Sequence, residues 1–172
     1  VAIAHRTFIE FGVEDFSESN CRFLMMNDNW RGLVLDGNPR HIATIESSYY
    51  FWRYDLTARA AFIDRENINA LIAKEDIDED LGLLSVDIDG MDYWVLSVIN
   101  VVKPRILIVE TNSLLGGDRA ISVPYDAGFQ RNQAHSSGVY YGASLAAFRH
   151  WASLNGYTFV GTTSIGSNAF FV

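Results

Sequence analysis

The chain has 172 residues, 49% of them apolar, with 8 Tyr, 11 Phe and 4 Trp; this suits one domain with a full core and excludes disorder. The net charge is −8, from 13 Lys plus Arg against 21 Asp plus Glu, with no dense basic run, which argues against nucleic acid and against an anionic membrane surface as partners. Cys21 is the only cysteine, so an internal disulfide and a cysteine-based zinc site are excluded, and a small buried helix residue is expected there.

No apolar run reaches the roughly 18 residues that span a bilayer. No signal peptide is visible, and a cytoplasmic location is expected. The chain opens at Val1 without a Met and close to a strand, as a trimmed or processed piece would.

Residues 7–12, Thr-Phe-Ile-Glu-Phe-Gly, read as a short strand ending in Glu10 and Gly12. An acidic, polar loop over 13–19 follows. Ser19 or Asn20 is suited to cap a helix over 21–29, with Phe23, Leu24 and Asn27 spaced at three and four. Residues 32–36 form a second strand ending in Asp36. Pro39 then suits the first turn of a helix running to about Tyr50, and the aromatics at 49–52 are expected to pack. A third strand spans 56–63 and ends at Asp64. A helix over 66–74 places Ile68, Leu71 and Ile72 on one face, and the acid-rich run 75–80 reads as a solvated loop.

The fourth strand, 81–86, runs into Asp87, Asp89 and Asp92, with Gly90 turning the chain. A helix over 92–101 is broken before Pro104. The continuous apolar run 105–110 reads as a fifth strand, buried on both faces and ending in Glu110. Residues 111–140 are irregular, with Gly116, Gly117, Pro124, Gly128, Gly138 and His135; a loop of this length in a compact domain points to a lid or another functional segment. A helix over 142–155 stops at Gly156. Strands at 157–161 and 168–172, joined by a short turn, close the chain as an antiparallel hairpin.

This order predicts an α/β fold: a Rossmann-like, seven-stranded, mostly parallel sheet with an antiparallel C-terminal hairpin and helices on both faces. Chain direction then brings Glu10, Asp36, Asp64, Asp87 and Glu110 to one edge of the sheet, where ligands of open α/β sheets bind. The alternative is that each acid caps the helix after it. Asp36 follows Gly12 by 24 residues, close to the spacing of a ribose-binding acid behind a strand–glycine turn. The full G-x-G-x-x-G pattern is absent, and acids occupy the first loop, so a pyrophosphate would be poorly cradled. A cofactor with a ribose and no phosphate fits better, and S-adenosylmethionine is one.

The chain resembles the class I S-adenosylmethionine-dependent methyltransferases, and among them the FkbM-like family. Phe8-Ile9-Glu10-Phe11-Gly12 is similar to their first motif, Gly32-Leu33-Val34-Leu35-Asp36-Gly37-Asn38-Pro39 to their second strand and its acid. Leu84-Ser85-Val86-Asp87-Ile88-Asp89-Gly90 is similar to the acid-rich stretch after strand four, residues 106–110 to the next strand, and the closing hairpin to the seventh strand of the fold. Two departures stand out: the first motif keeps one glycine, and the helical segments that precede strand one in the family are not in this sequence. The resemblance covers nearly all of residues 1–172 and implies a single methyltransferase domain. It implies that Glu10 and Gly12 face the methionine and ribose of the cofactor, that Asp36 holds the ribose hydroxyls, that Ile63 and Asp64 sit by the adenine, and that Asp87 lies near the sulfonium and the acceptor.

Asp87, Asp89, Glu110 and His135 are the candidates for taking a proton from an acceptor hydroxyl. Asp87, Asp89, Glu110 and Asn112 offer hard oxygen donors for a divalent metal, similar to the metal sites of some O-methyltransferases of this fold. The favoured alternative holds no metal: Asp89 caps a helix, and Glu110 meets Arg105 or a backbone amide. The expected acceptor is a small molecule or sugar, with no nucleic acid and no membrane involved; the oligomeric state is not encoded legibly. Competing readings are a non-catalytic nucleoside-binding module and a nicotinamide-dependent oxidoreductase, the latter at odds with the missing glycine-rich loop.

Overall fold

The computed structural model describes residues 5–172; the expectation about the chain's start at Val1 lies outside them. Seven strands form one sheet in the order β3-β2-β1-β4-β5-β7-β6. β1 (Thr7–Phe11), β2 (Arg31–Asp36), β3 (Leu56–Ala60), β4 (Asp80–Val86) and β5 (Lys103–Glu110) are parallel; β6 (Phe159–Thr162) and β7 (Asn168–Phe171) form the antiparallel hairpin, with β7 paired to β5. The α/β architecture predicted from the order of elements is the one observed.

The sheet is apolar on both faces because successive side chains point to opposite sides. Ile9, Phe11, Leu33, Leu35, Leu84, Val86, Leu107 and Val109 belong to one core. This core is covered by α4 (Ile68–Ala73), α5 (Asp92–Leu96) and, later in the chain, α7 (Leu145–Asn155). Phe8, Val34, Leu83 and Ile108 belong to the opposite core, under α1 (Arg22–Asp28) and α2 (Pro39–Ser47). Among the described residues no helix is long and apolar enough to cross a membrane.

Several boundaries differ from the sequence reading. Ser48 takes an extended conformation after α2, so the aromatic run forms a separate helix, α3 (Tyr49–Arg53). Tyr50 and Phe51 pack on the core while Tyr49 and Trp52 are exposed. α1 buries Met25 and its N-cap Cys21, whereas Phe23 faces solvent. β3 stops at Ala60 and Asp64 lies beyond it; α5 ends at Leu96. The acidic run after α4 is partly tied down, since Glu75 pairs with Arg59. The long segment after β5 holds a 3₁₀ turn, Ser113–Leu115, and a short helix, α6 (Arg131–Ala134).

One consequence of the strand order matters for function. The chain leaves β1 toward β2 and β3 on one side, then returns to place β4 on the other. The carboxyl ends of β1 and β4 therefore flank the switch point, where a crevice opens in folds of this kind.

Candidate functional site

At the switch point the backbones of β1 and β4 nearly touch. Gly12 has φ +69°, and a Cβ there would lie 1.5 Å from the Asp87 carbonyl oxygen. No side chain fits, so glycine is required on both counts. Beyond it, Glu14 (φ 47°) and Phe16 (φ 67°) also take the left-handed conformation, at a cost of about 1–2 kcal/mol each for a residue with a Cβ. The loop thus follows a path that glycines would follow without strain. Compensation is local: Phe16 is fully buried, and the Glu14 N–H donates to Asp36 Oδ2 at 2.8 Å.

Glu10 anchors this loop from below. Its carboxylate, 3% exposed, accepts from Ser19 Oγ at 2.5 Å and from the Asn20 N–H at 2.7 Å. Ser19 Oγ in turn accepts from the Cys21 and Arg22 N–H groups and starts α1. Burial raises the Glu10 pKa, opposed by these hydrogen bonds. Glu10 is not on the cleft wall.

The cleft itself has a volume of ≈ 410 Å³ and is walled by the loops after β1, β2, β3 and β4. Seven of its lining residues are Asp or Glu, none is Lys or Arg, and His41 is the single histidine. Asp36 lies at the end of β2 with its carboxylate in three hydrogen bonds: Oδ2 with Glu14 N–H, Oδ1 with Asn38 N–H at 2.8 Å and with His41 Nδ1 at 3.0 Å. On the third side Phe62 and Ile63 face the cleft beside Asp64. Asp64 Oδ1 accepts from the N–H groups of Glu66 and Asn67, and Asn67 Oδ1 accepts from Asp64 N–H. This reciprocal pattern resembles a capping box, and it leaves Asp64 Oδ2 without a partner among these bonds.

Residues 121–129 form a strap along the rim. Trp94 Nε1 donates to the Val123 carbonyl at 2.8 Å, and Tyr125 is bonded to Glu66. The Arg65 guanidinium lies over the Tyr125 ring at 4.9 Å. At the strap's end Phe129 packs on Gly90, where a Cβ would come within 2.2 Å of its ring.

Behind Asp87 is a trio of acids. Oxygens of Asp87, Asp92 and Glu110 lie within 4.8 Å of one another. Asp92, wholly buried, accepts from the N–H groups of Ile88 and Gly90 and so shapes the turn that carries Asp87. Burial, then repulsion from Asp92 and Asp89, pushes the Asp87 pKa up to about 7. Burial, then Asp92 and Asp87, pushes Glu110 up to about 10. Glu110 Oε2 is buried without a hydrogen-bond partner, and with the pKa of both carboxyls raised the trio holds a proton at neutral pH.

Of the four donors expected for a metal, Asp87 and Glu110 converge, joined by Asp92, while Asp89 and Asn112 do not. Asp89 faces out and binds Arg131 Nη1 at 2.7 Å. Asn112 is buried, with Oδ1 capping the 3₁₀ turn at Leu114 N–H and Nδ2 donating to the carbonyls of Val139 and Tyr141. Both oxygens of Asp92 are engaged by amides, and the Arg131 cation lies 3.8 Å from Glu110. This donor set does not fit a divalent ion, and no step is derived through one. Arg105, expected near Glu110, instead makes a two-pronged pair with Asp80.

Gly12, Asp36, Asp64 and Asp87 thus line one cleft, Glu110 lies behind Asp87, and Glu10 lies beneath the first loop. His135 is exposed, bonded to Ser137 within its own turn, and outside the cleft. Three residues at the site were not singled out from sequence: His41, Asp92 as a buried acceptor, and Arg131. His41 falls in the first turn after Asp36, a faint signal. Asp92 follows Gly90 as any helix-starting acid would. Arg131 sits in the long loop with no pattern around it.

No family model matches the chain, and no curated protein sequence matches it. Solved structures do match. An O-methyltransferase from Bacillus cereus, in complex with S-adenosylhomocysteine, aligns at TM-score 0.56 and 14% identity over 96% of this chain and 72% of its own. An O-methyltransferase family protein from Burkholderia thailandensis aligns at 0.62 and 13% over 98% of this chain and 50% of its own. The fibrillarin pre-rRNA processing protein of Methanococcus jannaschii aligns at 0.56 and 10% over 99% and 67%. The chain therefore spans half to three quarters of the length of these three structures, and what it shares with them is the methyltransferase fold.

Proposed function

We propose that the chain is an S-adenosylmethionine-dependent methyltransferase of FkbM-like type, acting on a hydroxyl of a small molecule or sugar. The observation that carries this reading is the charge of the cleft, ≈ 410 Å³ at the switch point: seven of its lining residues are Asp or Glu and none is Lys or Arg, with Asp89 paired to Arg131 from outside the lining. Such a wall attracts a sulfonium and repels a pyrophosphate, which argues against a nicotinamide dinucleotide. The same charge argues against an RNA backbone as acceptor.

The residues present suit the cofactor. Gly12 lets the first loop pass against the Asp87 carbonyl, where any side chain would collide, and its backbone lines the cleft. Asp36 offers an acceptor for a ribose hydroxyl, and the free Asp64 oxygen, with Phe62 and Ile63 beside it, suits an adenine and its amino group. When bound, S-adenosylmethionine supplies an activated methyl group for in-line displacement. Asp87 on the cleft wall takes the acceptor's proton; its pKa of about 7 keeps it a competent base near neutrality. Glu110 beside it stays protonated near neutrality, its pKa raised to about 10, and Asp92 fixes the turn. The strap 121–129 narrows the rim on the acceptor side.

Asp36→Ala tests the reading. Calorimetry of S-adenosylmethionine with this variant is expected to give no measurable heat at concentrations that saturate the native chain. Retained affinity removes the ribose assignment.

A further inference from the structure

The lone pairs of Asp36 do not suffice for a ribose diol. A carboxylate has about four acceptor positions, two on each oxygen. Oδ1 already receives the Asn38 N–H and the His41 ring nitrogen, and Oδ2 receives the Glu14 N–H. One position remains, on Oδ2. A nucleoside brings two ribose hydroxyls, so one of them needs another partner.

We propose that His41 is a second ribose-binding residue of this cleft, taking the hydroxyl that Asp36 cannot. The assignment rests on the S-adenosylmethionine reading above. His41 is on the first turn of α2, lines the cleft, and its side chain is 35% exposed. Its Nδ1 lies 3.0 Å from Asp36 Oδ1. A lone pair pointed at a carboxylate would be repelled, so Nδ1 carries a proton and donates. This bond fixes the ring on its carboxylate and leaves Nε2, which makes no hydrogen bond among the described residues, as the free polar atom. A hydroxyl both donates and accepts, so it can pair with Nε2 in either protonation state of the ring. Asp36 thus has two tasks: it receives one hydroxyl directly and aims His41 at the other. A 2′- or 3′-phosphate is not matched here, because the Asp36 carboxylate and the Glu14 and Glu18 side chains share this wall.

The test is a thermodynamic cycle by calorimetry on the full chain, using S-adenosylhomocysteine and its 2′-deoxy and 3′-deoxy analogues. The native chain is expected to bind each deoxy analogue about three- to tenfold more weakly than the parent, one hydrogen bond being lost each time. His41→Ala is expected to bind the parent weaker by a similar factor. It is also expected to lose discrimination against one deoxy analogue while keeping it against the other, whose hydroxyl belongs to Asp36. His41→Phe, which keeps the ring's bulk without its nitrogens, is expected to behave as His41→Ala does. Unchanged affinity ratios for both analogues in both variants would overturn the assignment and leave the cofactor reading intact. Failure of the native chain to bind S-adenosylhomocysteine would instead overturn the cofactor reading, and the assignment with it.

Discussion

Removing the carboxyl of Glu110 should make the protein lose less stability than the native chain as pH rises. Glu110 has an ordinary carboxyl pKa in the unfolded chain, near 4.5, and about 10 in the folded one. The folded state then binds a proton that the unfolded state has released. Stability from this group is complete below pH 4.5 and is lost as pH rises toward 10, by about 1.4 kcal/mol per pH unit. Asp87, raised from 3.8 to about 7, adds to the loss over the lower part of this window. In Glu110→Gln the amide keeps the side chain's size but has no proton to lose. Relative to the native chain the variant should gain about 1–3 kcal/mol between pH 6 and pH 8. The upper end is two pH units at the full slope; the lower end reflects protons shared within the trio. Urea unfolding at a series of pH values measures this directly. Parallel stability–pH curves for the two proteins would refute the buried-proton reasoning.

Two further substitutions probe the first loop. Gly12→Ala places a Cβ 1.5 Å from the Asp87 carbonyl oxygen at a positive φ; it should destabilise the fold by more than about 3 kcal/mol, and a melting temperature close to the native value would sink the close-approach claim. Glu14→Gly relieves a left-handed backbone (φ 47°) while keeping the N–H that binds Asp36. It should leave stability unchanged or raise it by up to about 1 kcal/mol, and a clear loss in thermal unfolding would show that the Glu14 side chain has a structural role of its own.

The fold was legible because its signals are local and repeated. The continuous apolar strands 81–86 and 105–110, Pro39 at the first position of α2 and Gly156 after α7 each mark an element by physics that neighbours do not override. The boundary errors fall where tertiary contacts decide. α5 was expected to run to residue 101 but ends at Leu96, and Asn69 holds the chain beyond it through Val98 and Asn100. Phe23 has a core residue's chemistry yet faces solvent, since Cys21 and Met25 fill the buried side of α1.

The site was legible in its acids and not in their roles. Strand direction brings Asp36 and Asp87 to one cleft. Which acid pairs with which depends on side-chain reach. Asp89 turns outward to Arg131, forty-two residues away, and Asp92 turns inward to the backbone of its own turn. The left-handed Glu14 and Phe16 were hidden for a related reason: a loop that departs from glycine gives no sign that its backbone keeps the same path. His41 carries no motif, and its relevance emerges from counting the bonds already made by Asp36.

The most direct measurement is calorimetric titration of the native chain with S-adenosylmethionine and, separately, with NAD. Saturable heat with S-adenosylmethionine and none with NAD is the expected result, given seven Asp or Glu and no Lys or Arg among the residues lining the cleft. Binding of NAD, or no heat with S-adenosylmethionine, would contradict it.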